Sequence, residues 1–466
     1  MSSMLNDMPI DNQLAPQFKL EKNPMSMDNS VEYEWYEIKT DNLSPSEQAN
    51  NWRLQLKNQQ VFVNPARAYL EVQFRIVSNQ AGGYAALAGG TAATLQSHIL
   101  TLFDRATLRV GGQLVESVNE AHIAKGLVQP LLHYSQDYAS SSGTNEFFYP
   151  DVGTADIAGT NQGRRNNSGG TAQFAFTHAA FNAADNVAVN ALNVQENPLH
   201  NAGFEKRRKR TNASAYVTCW VPLSALFGFC SIDRVLVNNQ FVIELTRSSP
   251  EHHILGTAAN AQTCGIKSIS CWMPNILPKS VVDLALKSSL ASGVVSNYLY
   301  PHMSCYTIAG GAGVNNHRVI TSSEKVTYAF VLARLPGRNE TTSVSTTSDV
   351  VTTLEVRLNG RAYPSQNYVN LVGDTTDKAR AYSDLLRYMA RGYDFSSGIG
   401  LPYEEWKECS IFAFDMTSQP ASFEGQPAQV EIRANTTAAV DWSVCVLSEK
   451  RTQIRYDGGS AVVLVN

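Results

Sequence analysis

Two stretches decide the fold: "LRVGGQLVES" (residues 108–117) and "VRLNGRAYPS" (residues 356–365). Each sets an arginine between two apolar residues, then a glycine-containing turn, then a second extended run. Leu108 and Val110, like Val356 and Leu358, alternate with Arg109 and Arg357, the period of a half-buried strand. Gly111-Gly112 and Asn359-Gly360 stand where a tight hairpin needs positive φ, which glycine and asparagine accept at little steric cost. The same hairpin at an offset of 248 (108 to 356) predicts two copies of one module, with the apolar residues matched and the arginines on the opposite face.

Other features recur in the same order. "ARAYLEVQFRIV" and "KVTYAFVLARL" share a pattern, with Tyr69 and Tyr328 offset by 259 (69 to 328). After each hairpin comes Leu-Leu-x-Tyr, a second tyrosine, serines and a glycine, with Leu131 and Leu385 offset by 254 (131 to 385). Three matches in order read as a tandem duplication. Strand-like alternation runs through residues 61–77, with Leu70, Val72, Phe74 and Ile76 on one face and Tyr69, Glu71, Gln73 and Arg75 on the other. It recurs at 32–38, 106–115, 215–221, 235–246, 325–335, 354–358, 410–415, 429–434 and 442–449. The best helical patterns are 118–138 and 376–390, one beside each hairpin, and 264–290 reads as a strand-like piece followed by a short helix-like piece. No strand–helix rhythm is present, so the class is an all-β sandwich with a few short helices in loops.

The chain divides accordingly. Residues 1–50 read as a flexible arm and first strand, 51–249 as the first module, 250–288 as a connector and 289–466 as the second module. The first module carries an insertion at 139–211, rich in Gly, Ala, Asn, Ser and Thr, that can bury little and reads as a surface excursion.

Charged residues are 17% of the 466, below the ~25% of ordinary soluble domains, and the net charge is −4. Such a chain is no polycation built to coat nucleic acid; its surface is suited to meeting other protein. The seven cysteines form no CxxC pair and sit mostly in apolar runs, as buried free thiols in a reducing compartment do. "MSSMLNDMPIDNQ" lacks the basic flank and apolar core of a leader, which predicts synthesis in the cytosol.

Chemistry is sparse. "AGGAGVNN" (309–316) lacks the Lys-Ser/Thr of a phosphate loop. His252-His253 has no third metal ligand nearby. Glu404-Glu405, adjacent in sequence, cannot flank one glycosidic bond as carboxylates from separate strands do. The strongest charge is the basic run Lys206, Arg207, Arg208, Lys209 and Arg210, read as an exposed contact or nuclear-import segment whose loss would leave stability nearly unchanged. No catalytic, cofactor-binding or metal-ligating residue is assigned, and the expected role is architectural.

"WVPLSALFGFCSIDRVLVNNQFVIELTRS" (220–248), "SISCWMPNILPKSVVD", "LEVRLNGRAYPSQNY" and "SIFAFDMTSQ" together resemble the double jelly-roll major capsid proteins of Polinton-like viruses, virophages and adintoviruses. The resemblance implies two tandem eight-stranded jelly-roll sandwiches, no enzyme activity and no cofactor. It implies a homotrimer with a pseudo-hexagonal outline that tiles the icosahedral shell of a double-stranded DNA virus. Partners would be neighbouring capsomers and penton and minor capsid proteins, and assembly would follow in a nucleus or viral factory, with the product in the virion. The competing class is a glycan-binding or adhesive β-sandwich, which is normally secreted with a leader and paired cysteines. A β-sandwich enzyme would need carboxylates converging in a groove.

Overall fold

The structure, a computed structural model, describes residues 31–465 except 41–46, 57–61, 81–82, 88–92, 151–201, 212–213, 238–239, 257–261, 279–283, 285–286, 289, 291, 294, 321–324, 335–349, 390–402, 404–405, 407–410, 424–425 and 458–459. The segment 1–30, most of the insertion, Glu404-Glu405 and Cys409 therefore lie outside the described residues.

Sixteen of the 22 strands among the described residues form the frame, the other six being additions at its margins. The first eight are β1 (Val31–Lys39), β2 (Asn51–Leu56), β3 (Tyr69–Gln80), β4 (Phe103–Val110), β5 (Gln113–Val118), β6 (Val217–Pro222), β7 (Phe241–Arg247) and β8 (Gln262–Pro278). The second eight are β9 (Val295–Gly310), β10 (Gly313–Ile320), β11 (Lys325–Arg334), β12 (Val351–Leu358), β13 (Arg361–Tyr368), β14 (Phe412–Asp415), β15 (Gln429–Thr436) and β16 (Val440–Asp457). The first set makes sheets ordered β1-β8-β3-β6 and β2-β7-β4-β5; the second makes β9-β16-β11-β14 and β10-β15-β12-β13. Adding eight to every label converts one sandwich into the other. Each is an eight-stranded jelly roll, and the chain is a double one.

The core follows the alternation. Leu70, Val72, Phe74 and Ile76 of β3 are buried, as are Leu108 and Val110 of β4 and Val356 and Leu358 of β12. Phe74 meets Phe147 edge-on at 5.3 Å, and Trp442 is fully buried in the second sandwich. Burying such side chains contributes about 1.5–3 kcal/mol each, enough over two cores to order both sheets.

The repeated hairpins are β4–β5 and β12–β13. Val110 pairs with Gln113 and Leu358 with Arg361. Gly111 and Gly112 have φ of 58° and 81°, and Asn359 and Gly360 of 48° and 85°. Arg109 and Arg357 point away from the core, to Glu244 at 3.6 Å and Glu355 at 2.6 Å. Both hairpins are followed by helix. Residues 121–133 wind through helical turns before Gln136–Ser140, and the second sandwich has one longer helix, Thr376–Tyr388, capped by Thr375.

The connector at 250–288 needs correction. Gln262–Pro278 is β8, the last strand of the first sandwich, hydrogen-bonded between β1 and β3. Val31–Lys39 of the 1–50 segment is likewise a full strand of that sheet. Strands β9 and β10, absent from the sequence pattern, build the near edge of the second sandwich.

A β-carbon placed on Gly360 would meet nothing within 4 Å, so substitution there isolates backbone strain. Gly360→Val should lower stability by roughly 1–2 kcal/mol, through the left-handed backbone alone, as measured by chemical denaturation; an unchanged midpoint would contradict the turn geometry.

Candidate functional site

Groups singled out for chemistry do not converge. The glycines of 309–316 form the β9–β10 turn. His253 is buried and held at 2.9 Å from Ser248 Oγ, while His252 stacks on His122 at 4.3 Å. Burial pushes the His252 pKa down to about 4 and holds that of His253 well below the ordinary imidazole value. Among the described residues no three His, Cys, Asp or Glu side chains are placed to share a metal ion.

The basic run lies on a helix, α1 (Ala202–Arg210), where a loop was expected. Arg207 is fully buried. Its Nε donates to the Leu95 carbonyl at 3.0 Å and its Nη1 to the Tyr149 carbonyl. Arg210 donates to the Thr144 carbonyl at 2.7 Å and lies 5.1 Å over the Phe147 ring. Two of the five cations thus hold the helix to the first sandwich, so that they are structural rather than solvated. Lys206 and Lys209 are exposed.

Polar groups converge within the first sandwich, where buried Glu146 meets His98 at 2.8 Å and accepts from Tyr134 and Tyr138, and on the seam between the sandwiches, where β5 meets β9. Glu116 of β5 is fully buried. Its carboxylate accepts from the N–H groups of Gly228 (3.1 Å) and Phe229 (2.9 Å) and from His302 Nδ1 of β9 (3.0 Å). The far ring nitrogen of His302 is 3.1 Å from Ser304 Oγ, which also donates to the Ser117 carbonyl at 3.3 Å. Burial alone would raise the Glu116 pKa; His302, the nearby Lys125 and the Phe229 N–H outweigh it and hold the carboxyl below its ordinary value. Burial pushes the Lys125 pKa down, opposed by the Glu116 charge.

Neighbouring contacts extend the seam. Tyr300 Oη donates to the Val115 carbonyl at 3.1 Å, and its ring meets Phe229 edge-on at 5.5 Å. A β-carbon on Gly228 would fall on the Pro301 carbonyl oxygen, so only glycine allows this approach. Cys305 N–H donates to the Asn119 carbonyl (3.2 Å), and Thr307 donates through N–H (2.8 Å) and Oγ1 (2.6 Å) to Glu120. His133 reaches Tyr388 Oη at 2.8 Å. The free edge of β9 is thereby met by the first sandwich, while Tyr388 of the second sandwich's own helix packs on Tyr328 and Phe330 of β11 at 4.6 and 4.8 Å.

The matching face of the first sandwich is open. Trp35, Tyr69, Trp220 and Trp272 form a row across β1, β3, β6 and β8, with neighbouring centroids 6.3, 6.3 and 5.6 Å apart. Trp272 Nε1 donates to Glu71 at 2.6 Å. Trp35 is 48% exposed and Tyr69 38%. The row is an exposed aromatic face with one indole N–H committed to a carboxylate.

Residues 182–449 match the family model of the double jelly roll-like domain. No curated protein matches by sequence. Among solved structures, a Sputnik virophage chain aligns over 97% of this chain and 92% of its own, with a TM-score of 0.58 and 9% identity. The PBCV-1 virus capsid aligns over 96% and 99%, at 0.50 and 10%. The Faustovirus major capsid protein aligns over 95% and 93%, also at 0.50 and 10%. At these identities the likeness is one of fold.

Two outcomes are expected for the seam and the helix. Glu116→Ala should cost roughly 1–3 kcal/mol, the range for leaving buried hydrogen-bond donors unsatisfied. Because the folded pKa is depressed, the Glu116 contribution is complete above the ordinary glutamate value of about 4.3 and is lost as pH falls through the lower folded value. Glu116→Gln should accordingly flatten the acid limb of a stability–pH curve, and an unaltered limb would remove the seam from the account of acid stability. For the helix, Arg207→Ser should cost roughly 1–3 kcal/mol by orphaning buried carbonyls, whereas Lys206→Ser and Lys209→Ser should stay within about 0.5 kcal/mol; equal melting temperatures for all three would contradict the burial of Arg207.

Proposed function

From the premise that the chain belongs to the double jelly roll-like family, we propose that it is a viral major capsid protein whose trimers, each a ring of six sandwiches, tile an icosahedral shell. The observation that carries this reading is the one-for-one repetition of strand order in two sandwiches locked edge to edge by a buried, hydrogen-bonded seam. An enzyme or lectin needs one competent sandwich. Two copies held at a fixed angle are what a near-hexagonal tile needs, because each copy then fills one of six similar positions. The alignments with the PBCV-1 virus capsid and the Faustovirus major capsid protein over nearly the whole chain support it.

The surface suits the role. A net charge of −4 and only 17% charged residues keep the desolvation cost of broad protein contacts low, and leave DNA condensation to another, basic protein. In this reading the protein resides in the virion, meets neighbouring capsomers along with penton and minor capsid proteins, and assembles in a nucleus or viral factory. The role requires no catalytic group.

The expected result is a particle of three times the 51.0 kDa chain mass by light scattering, hexagonal in outline by negative-stain microscopy. A monomer that persists at micromolar concentration across several salt conditions would overturn the proposal.

A further inference from the structure

Two thiols stand side by side at the edge of the second sandwich. Cys305 of β9 and Cys445 of β16 are register partners on adjacent antiparallel strands, and both are buried. Opposed residues in such a ladder are of two kinds. In one kind the two residues exchange both N–H···O bonds; in the other neither backbone faces its partner, and the Cα atoms approach to about 4.5 Å. The seam decides between them, because the N–H and C=O of one strand residue point to the same side. The Cys305 N–H donates to the Asn119 carbonyl at 3.2 Å, away from β16. Two residues on, the Thr307 N–H donates to Glu120 at 2.8 Å, again away from β16. Cys305 and Cys445 are therefore a non-hydrogen-bonded pair with their side chains on one face. Their Cα separation falls at the near end of the roughly 4.4–6.8 Å that a disulfide spans. None of the other described cysteines faces a cysteine in register. Cys219, Cys264 and Cys271 lie opposite Val72, Ile76 and Leu70, and Cys230 is in the 228–231 turn.

We infer that Cys305 and Cys445 form an oxidation site, which closes to a cross-strand disulfide when the chain meets a small-molecule disulfide. The inference goes beyond the capsid reading and stands without it. Burial, then the neighbouring Cys445 thiol and the Glu120 charge, holds the Cys305 thiol well above its ordinary pKa, so in the closed fold it is protonated and slow to react. Reaction waits on opening of the edge. Strand β9 has β16 on one side and the first sandwich on the other, so it can lift without breaking the rest of its sheet. Cys305, on the edge strand, is reached first, whereas Cys445 lies between β9 and β11. The Cys305 thiol gives its proton to solvent, and the thiolate attacks one sulfur of the reagent, breaking the reagent's S–S bond and releasing a small thiolate that takes up a proton. The Cys445 thiol loses its proton in turn, and its thiolate attacks Sγ of Cys305, breaking the mixed disulfide and releasing the second small thiol. Two protein thiols are oxidised, one S–S bond forms between them, and the reagent is reduced by two electrons to two thiols. The new bond ties the strand that carries His302, Ser304 and Thr307 to the strand behind it, so that oxidation fixes the seam side of the second sandwich.

Oxidised glutathione tests the site. The full chain, purified in reductant and then freed of it, is incubated with the reagent, quenched with acid and mapped by mass spectrometry without reduction. One linked pair of peptides, carrying Cys305 and Cys445, should accumulate and weigh two hydrogen atoms less than their sum. Dithiothreitol should restore both thiols. Cys445→Ala removes the resolving thiol, so the reaction at Cys305 should stop with one glutathione attached. Thr307→Val removes one hydrogen bond to Glu120 and loosens the edge, so linking should run roughly fivefold faster. Native protein in which both thiols stay free overturns the site, and the wild-type map decides this even should Cys445→Ala fail to fold. A link from Cys230 to Cys271, whose thiols lie near each other, formed in place of the Cys305–Cys445 link would overturn it equally. Linking indifferent to Thr307→Val overturns the route through the β9 edge. Light scattering bears on the capsid reading alone, so the two can fail separately.

Discussion

The buried carboxylate of Glu116 is the constraint on which the arrangement of the two sandwiches depends. Placing a charge where water cannot reach is costly unless every lone pair finds a donor. Here two backbone N–H groups from the 228–229 turn and one imidazole N–H from the second sandwich supply them. An apolar seam of the same area would hold the sandwiches together yet let them slide, since apolar contact is non-directional. The three donors come from two different sandwiches, so the carboxylate is satisfied at only one relative position.

That rigidity gives the duplication its value. Two sandwiches of identical strand order differ where they meet their neighbours. The first sandwich's helical segment after β5 is broken into short turns that reach across the seam to β9, whereas the segment after β13 holds a helix 13 residues long, packed chiefly on its own β14 sheet edge. Strands β9 and β16 pair over their full length from Val295–Arg455 to Gly310–Val440, making a long ribbon against which the first sandwich rests.

Much of the fold was legible because half-buried strands write their burial as alternation. The β3, β4 and β12 patterns named their core residues correctly, and the two turns declared themselves by residues tolerant of positive φ. Strand β8 was legible as a strand-like piece but not as an inner strand of the first sandwich, for physical reasons. Its residues from Gln262 to Ile266 are buried on both faces, which erases alternation, and Pro274 and Pro278 argue against a central strand. Glu116 escaped for a different one. A bulge at Val115 moves Glu116 from the place opposite Thr107 to the place opposite Leu108, turning it from the outer face to the inner. No periodicity announces a bulge. Arg207 was hidden among four other cations: five consecutive charges read as a solvated run, and only the helix shows that one of them points inward to two carbonyls.

The seam also explains why so lightly charged a chain can be specific about its neighbours. Broad apolar contact supplies affinity without direction, and the aromatic row alone would accept many partners. Direction comes from few, well-placed polar groups: acid on the β5 edge against imidazole and hydroxyl on the β9 edge within the chain. A chain built in this way orients its two sandwiches with a handful of charges, and the low total becomes a condition of the design. Each added surface charge would raise the cost of burying the broad faces while adding little to a choice that the edge residues already make.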